Sequence, residues 1–373
     1  MKLMKDGLGP SAIKRISQGV HSAWPDFDAQ GFEVAANKGI ETLELKQRVE
    51  HLIITLNVFL PDSFPRAAEI LHRVPLNWDF GDAEDSIRKF AAWPIIDYAA
   101  HYGLDQPEIS LPLLKQLTHL HTAEFAIRPF ILRYPELCFA NFETWIQDDS
   151  KHIRRLVSEG SRPRLPWGIQ LTPFCKDPSS LLPLLEKLNK DPSDYVRRSV
   201  ANSLNDISKD NPDIAIAICS DWLQKEASDE TKWIIRHAMR SLIKSGRAEV
   251  FPLLGFTKDP QLCLGELTLV KDRINLGESL DFNLSITSRS KQPQRLAIDF
   301  AIHHKKANGQ LSPKVFKWKE TDIKPGETMQ ISKTHPMRKI NTRKYYSGEH
   351  RLCLIINGKE ISTLKFHLEC PSK

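Results

Sequence analysis

The chain has little that would tie it to a membrane, a metal or a cofactor. It contains no run of about 18 apolar residues, the length a bilayer-spanning helix needs. Its first residues, Met1-Lys-Leu-Met-Lys-Asp6, lack the apolar centre of a secretory signal, so the cytoplasm is the expected compartment. Cysteine is sparse: six in 373 residues (Cys138, Cys175, Cys219, Cys263, Cys353 and Cys370), with no CxxC pair. That spacing excludes a zinc ribbon and a dense disulfide framework, and it points to free thiols in a reducing compartment. There is no HExxH, no glycine-rich phosphate loop and no dinucleotide fingerprint. Neither metal nor cofactor is therefore expected. Charge of one sign is also not in large excess. Lys and Arg outnumber Asp and Glu by 52 to 46, a net +6 that permits an anionic partner without demanding one.

What is present divides in two. Residues 11–256 carry apolar residues at three- and four-residue spacing, as in Ile70, Leu71 and Val74, or Leu181, Leu182, Leu184, Leu185 and Leu188. This is helical periodicity, broken by helix-start signals such as Asp177-Pro178 and Asp191-Pro192. After Lys258-Asp259-Pro260 the period becomes two, in stretches beginning at Leu267, Leu280, Leu296 and Leu352. Turn residues fall between them, at Asn308-Gly309, Lys324-Pro-Gly326 and Asn357-Gly358. The expected fold is mainly α: a helical-repeat domain over 1–257, then a small all-β, immunoglobulin-like sandwich over 258–373. Cys353 has no well-placed partner for an inter-sheet disulfide.

The helical part repeats. Ile153-Arg-Arg-Leu-Val-Ser-Glu159 superimposes on the segments beginning at Val196 and Ile234, and Ala126-Ile-Arg-Pro-Phe130 is a more divergent copy. Periods near 40 residues with two helices per unit are those of HEAT-like α-α superhelices. At 100° per residue, Val196, Val200, Leu204 and Ile207 form one apolar stripe, while Arg198, Asn202 and Asn205 lie opposite, flanked by Asp206. Aligned across repeats, Arg155, Arg198 and Arg236 form one rung of a ladder. Glu159, Asn202 and Arg240 form the next, with Asp206 and Lys244 a turn beyond. These cations are candidate phosphate contacts, although pairing with an Asp of the preceding turn accounts for Arg155 and Arg198 equally well.

Between two repeats lies Ser158-Glu-Gly-Ser-Arg-Pro-Arg-Leu-Pro-Trp-Gly168. Gly160 is expected to cap the preceding helix, and Pro163 and Pro166 to prevent its resumption. Arg162 and Arg164 are then candidate phosphate contacts and Trp167 an aromatic wall beside Glu159. His119 and His121 are read as structural residues on different faces of one helix.

With these blocks, and with Lys5-Asp-Gly-Leu-Gly-Pro10, Trp24-Pro-Asp-Phe-Asp28, Glu44 to His51 and Tyr195 to Ile207, nearly the whole chain resembles the bacterial AlkC DNA glycosylases, relatives of AlkD. The C-terminal sandwich resembles the extension that one branch of that family carries. The resemblance implies a helical-repeat cradle for duplex DNA containing alkylated bases. It also implies hydrolysis of the N-glycosidic bond of cationic lesions, chiefly 3-methyladenine and 3-methylcytosine, without full base flipping. By motif it assigns Glu159, Asp206 and Glu124 as the catalytic carboxylates and Trp167 as a substrate contact. The chemistry fits, because a cationic base leaves readily and its sugar then needs a carboxylate, an aromatic surface and held phosphates. No lysine in the loop offers a Schiff base, so a monofunctional enzyme is expected. A monomer without an obligate protein partner is also expected. The rival readings are an inactive DNA binder of this fold and a protein-binding scaffold.

Overall fold

The computed structural model describes residues 3–225, 228–340 and 343–371. They form two compact units, Met1–Asn211 and Pro212–Lys373. Among the described residues no helix is long and apolar enough to cross a membrane.

The first unit is helical: α1 (Pro10–Ala23), α2 (Ala29–Asn37), α3 (Leu45–Phe59), α4 (Phe64–Arg73), α5 (Trp93–Tyr102), α6 (Pro107–Leu117), α7 (Arg128–Arg133), α8 (Pro135–Trp145), α9 (Lys151–Gly160), α10 (Thr172–Lys176), α11 (Leu182–Leu188) and α12 (Asp194–Asp210). Successive helices pack in pairs, α1 on α2 and α5 on α6, and pairs stack through α3 on α5 and α9 on α12. This is the HEAT-like plan that the repeat predicts. The α12 stripe is as expected: Val196, Val200, Leu204 and Ile207 are all fully buried. The opposite face is only partly wet, however: Arg198 is exposed, but Asn205 and Asp206 are buried. α9 begins where Ser150 Oγ accepts from the His152 N–H, filling one of the open donors of a helix start. It meets α12 through Ser158 Oγ, which donates to Ser199 Oγ at 2.7 Å.

Two local expectations change. Gly160 is the last helical residue of α9, not a left-handed cap, and the chain leaves the helix at Ser161 with φ −88°. Glycine is needed there for space: a Cβ would lie 2.6 Å from Ile127 Cγ2. His119 and His121 follow α6 in a turn and do not share a helix with each other.

In the second unit α13 (Pro212–Lys225), α14 (Asp229–Ala238), α15 (Arg240–Lys244) and α16 (Val250–Leu253) precede eight strands. These are β1 (Leu262–Leu269), β2 (Arg273–Asn275), β3 (Ser279–Ser288), β4 (Gln294–Lys305), β5 (Leu311–Ile323), β6 (Thr328–Pro336), β7 (Gly348–Ile356) and β8 (Lys359–Glu369). They make a three-stranded sheet, β1-β3-β6, and a five-stranded sheet, β2-β8-β7-β4-β5. Only β2 and β8 pair in parallel among the described strands. The sheets share one apolar core, in which Phe282 of β3 meets Phe300 of β4 edge-on at 5.1 Å. All six cysteines are free.

Helix gives way to strand between Leu253 and Leu262, near residue 258, but the compact unit reaches back to Pro212. The last helices pack on the sandwich. Phe251, Phe256 and Ala297 form one apolar cluster. Asn357 Oδ1 accepts from the Ala297 N–H at 2.7 Å, and its Nδ2 donates to Thr257 O at 2.7 Å.

Gly160→Ala should destabilise the protein by about 1–3 kcal/mol, the usual cost of forcing a methyl into a filled interior. Urea unfolding measures it; an unchanged midpoint would mean that Ile127 moves aside freely.

Candidate active site

Arg128, at the start of α7, organises the loop after α9. Its side chain is fully buried. Nη1 donates to Gly160 O and Arg162 O at 2.8 Å each, and Nε donates to Ile169 O at 2.6 Å. A planar guanidinium with donors in a fixed fork suits three convergent carbonyls. Burial, with Arg162 nearby, pulls its pKa down to about 10, so it remains a cation at neutral pH. Pinned in this way, the loop presents Trp167 in the left-handed backbone region, φ 67°, with its ring about half exposed. Lys46 of α3 donates to the Trp167 carbonyl at 2.7 Å. A non-glycine residue held in that conformation is strained and marks a place where side-chain position matters.

Beneath the loop, two arginines are shared among three carboxylates. Arg155 Nη1 lies 2.9 Å from Glu124 Oε2, and Nη2 lies 3.6 Å from Glu159 Oε1. Arg162 Nη1 lies 2.6 Å from Glu159 Oε1, and its Nε lies 2.8 Å from Asp206 Oδ2. All but Arg155 are buried, and the Arg155 side chain is only 16% exposed. Burial works against both cations. For Arg155 the facing Glu159 and Glu124 outweigh it, and for Arg162 Glu159 and Asp206 do, so both pKa values lie above the ordinary one. Arg155 also covers the Tyr195 ring at 4.6 Å.

The carboxylates differ in what they have left. Both ion pairs of Glu159 fall on Oε1, and Glu124 uses Oε2 for Arg155 and for the Thr122 hydroxyl. Each glutamate therefore keeps one oxygen without a partner among the described residues. Asp206 keeps none, since Oδ2 takes Arg162 and Oδ1 takes Lys209 at 2.8 Å. Glu124, Glu159 and Trp167 line one cavity of about 320 Å³ together with Phe90, Trp93 and Phe125, and Asp206 does not line it. Trp93 and Phe125 stack at 5.2 Å. His121 completes the wall; burial, reinforced by Lys89 and Arg155, lowers its pKa to about 4, which leaves it neutral.

The expected site residues thus separate. Glu124, Glu159 and Trp167 come together. Arg162 and Arg155, expected on phosphates, are instead turned inward on carboxylates. Arg164 is half-buried and chelates Asp210 at 2.6 and 2.7 Å. Arg198 is exposed and lies 3.1 Å from Asp194, the pairing with a preceding-turn acid that the sequence left open. Asn202 is half-buried. Arg236, Arg240 and Lys244 belong to the second unit, where they line a cavity of about 270 Å³ with Asp299 and Glu320. Arg236 pairs there with Glu320. Sequence reasoning missed Arg128, Trp93, Phe125 and His121. For Arg128 a signal existed, because the divergent repeat copy places it opposite Arg155.

Residues 117–242 match the family described as "DNA alkylation repair enzyme", and residues 264–370 match "Uncharacterised protein YhaZ, C-terminal Ig-like domain". The chain is 37% identical to the uncharacterized protein YhaZ of Bacillus subtilis (strain 168), over 98% of this chain and 99% of that protein. It superimposes with a TM-score of 0.86 and 34% identity on the Pseudomonas fluorescens alkylpurine DNA glycosylase AlkC bound to DNA containing an abasic site analog, covering 99% of this chain and 100% of that one. The chain belongs to the AlkC-like family of DNA alkylation-repair proteins, in the branch with a C-terminal immunoglobulin-like domain.

Two outcomes follow from the buried charges. Arg162→Met should cost about 3–5 kcal/mol, because it removes the cation that bridges two buried carboxylates. Adding Glu159→Gln and Asp206→Asn should recover part of that loss in urea unfolding. For His121, the unfolded ring binds a proton near pH 6.5 and the folded one only near 4. Stability is then fully present above pH 6.5 and falls as the pH drops toward 4. His121→Gln should remove about 2 kcal/mol of that fall, seen by comparing unfolding at pH 7 and pH 4.5.

Proposed function

We propose that this protein is a monofunctional DNA glycosylase that hydrolyses the N-glycosidic bond of cationic alkylated bases in duplex DNA, with 3-methyladenine and 3-methylcytosine as the chief substrates. One observation carries the reading. Two glutamates, each with an unengaged oxygen, share a cavity with four aromatic rings and a neutral histidine. Plain DNA binding gains nothing from acids on its contact surface, since each repels phosphate. A reaction that develops positive charge does gain from them.

A base carrying a fixed positive charge departs as a neutral molecule, so little acid help is needed. The charge moves to the deoxyribose, which becomes oxocarbenium-like. Glu159 Oε2 stabilises that cation and orients a water toward the anomeric carbon. Glu124 Oε1 adds a second negative oxygen. Arg155 and Arg162 fix both groups from behind, and Asp206 acts through Arg162 as a positioning residue. Trp167, half exposed at the loop, contacts the sugar or the cationic base face. No lysine lines the cavity among the described residues, which fits hydrolysis by water without a Schiff base. Arg164, Arg198 and Asn202, and Arg236, Arg240 and Lys244 of the second unit, are the proposed backbone contacts. The AlkC relative's complex with DNA containing an abasic site analog supports DNA as the partner.

Purified protein incubated with methylated DNA should release free 3-methyladenine. Glu159→Gln should slow release roughly 10²–10³-fold, the usual loss for one preorganised electrostatic group, with DNA binding retained. Glu124→Gln should lose less. Undiminished release by the Glu159 variant would contradict the assignment.

A further inference from the structure

Beside the cavity of Glu124 and Glu159 lies a second one, of about 390 Å³, on the other side of the same aromatic wall. Trp93, Phe125 and Trp167 line both. The second cavity is closed by α3 and α5, which contribute Lys46 and Glu50, and Asp97, respectively. Its volume is that of small-molecule sites, and its walls are mainly aromatic and apolar with a few polar groups, the composition of a ligand pocket.

Asp97 has no part in the chemistry proposed above. Trp93 Nε1, one turn earlier on α5, donates to Asp97 Oδ2 at 2.7 Å. Asp97 Oδ1 is enclosed and has no hydrogen-bond partner among the described residues. An unsatisfied carboxyl oxygen is costly, and native proteins keep few. Burial pushes the Asp97 pKa up to about 7, against the pull of Trp93 and Lys46, so the group carries a proton for much of the time at neutral pH. A protonated carboxyl presents one donor and one acceptor side by side. That pair complements the adjacent amino group and ring nitrogen of adenine, an edge that 3-methyladenine keeps and that 3-methylcytosine, methylated at the corresponding nitrogen, does not. Asp97 itself is one of the residues that line the cavity.

We infer that this second cavity receives a nucleobase, stacked between the aromatic walls and held by its amino and ring-nitrogen edge against Asp97. The inference rests on the glycosylase reading and adds to it a place for a base. Two sources share that chemistry: the base released by hydrolysis, and a base still attached to the DNA strand, whose entry would depart from the non-flipping mode that the family resemblance implies.

The test uses the full chain and the fluorescence of Trp93 and Trp167. Free 3-methyladenine and adenine should quench it saturably, and N6,N6-dimethyladenine, whose amino group has no proton to donate, should not. Asp97→Leu should weaken binding roughly tenfold or more, whereas Asp97→Asn, which keeps a donor and an acceptor, should hold it within about threefold. Ala100→Trp, which fills the cavity from α5 while leaving the Asp97 carboxyl in place, should abolish the signal, and it stands in if the leucine variant fails to fold. In a parallel arm, 2-aminopurine is placed in duplex DNA beside an abasic site analogue. A fluorescence change on wild-type binding that is lost in Asp97→Leu assigns the cavity to a base of the strand. Free-base binding that is lost in the same variant assigns it to the released base. Wild-type protein that gives neither signal, or signals unchanged in both Asp97→Leu and Ala100→Trp, overturns the inference. Base release from methylated DNA is followed in the same preparations. Its absence would sink the glycosylase reading, while release alongside unchanged Asp97→Leu titrations would sink only this one.

Discussion

Everything at the site depends on two guanidinium groups, Arg155 and Arg162, being shared among three acids largely removed from water. Neither element could exist alone. Three carboxylates this close would repel one another and pay heavily for desolvation, and two arginines at this depth would lack partners. Together they fix the glutamate side chains without consuming them, since each glutamate bonds its arginine through one oxygen and keeps the other. This is how a protein places negative charge before a reaction needs it, at no cost of reorganisation during the reaction.

The loop that carries Trp167 depends on the same economy. Pro163 and Pro166 remove backbone donors, so the loop cannot satisfy its own carbonyls as a helix would. Arg128 supplies those donors from the neighbouring repeat, and Lys46 supplies another from farther along the unit. The strained φ of Trp167 is then a product of packing among α3, α7 and the loop after α9, which no local sequence preference would favour.

The change from helical to alternating period near Lys258, the apolar stripe of α12 and the free cysteines were all legible in the sequence, because each depends on local periodicity or on composition. The grouping of α13 to α16 with the sandwich was not, because it follows from the contact of Phe251 and Phe256 with Ala297 across 40 residues and more. The site divided in the same way. That Glu124, Glu159 and Trp167 belong together was readable by motif, and the three line one cavity. The inward turn of Arg155 and Arg162 was not, because a helical wheel gives the face of a residue but not the partner it finds there. Nor does the wheel show that Asp206, on the flank of its helix, is covered by the Arg162 side chain arriving from a loop 44 residues earlier. Trp93 and Asp97, one turn apart on α5, carried a readable spacing, but only the stacked Phe125 from another repeat gives it meaning.

The central claim is that Glu159 and Arg162 act as one unit in the reaction. A double-mutant cycle on single-turnover base release tests it most directly, using Glu159→Gln, Arg162→Lys and the pair, each verified as folded and DNA-bound. Lysine keeps the charge but cannot bridge two carboxylates as a guanidinium does. The account predicts strong non-additivity, with the double variant little slower than Glu159→Gln alone. Losses that simply multiply would show that the two residues act independently, and would contradict it.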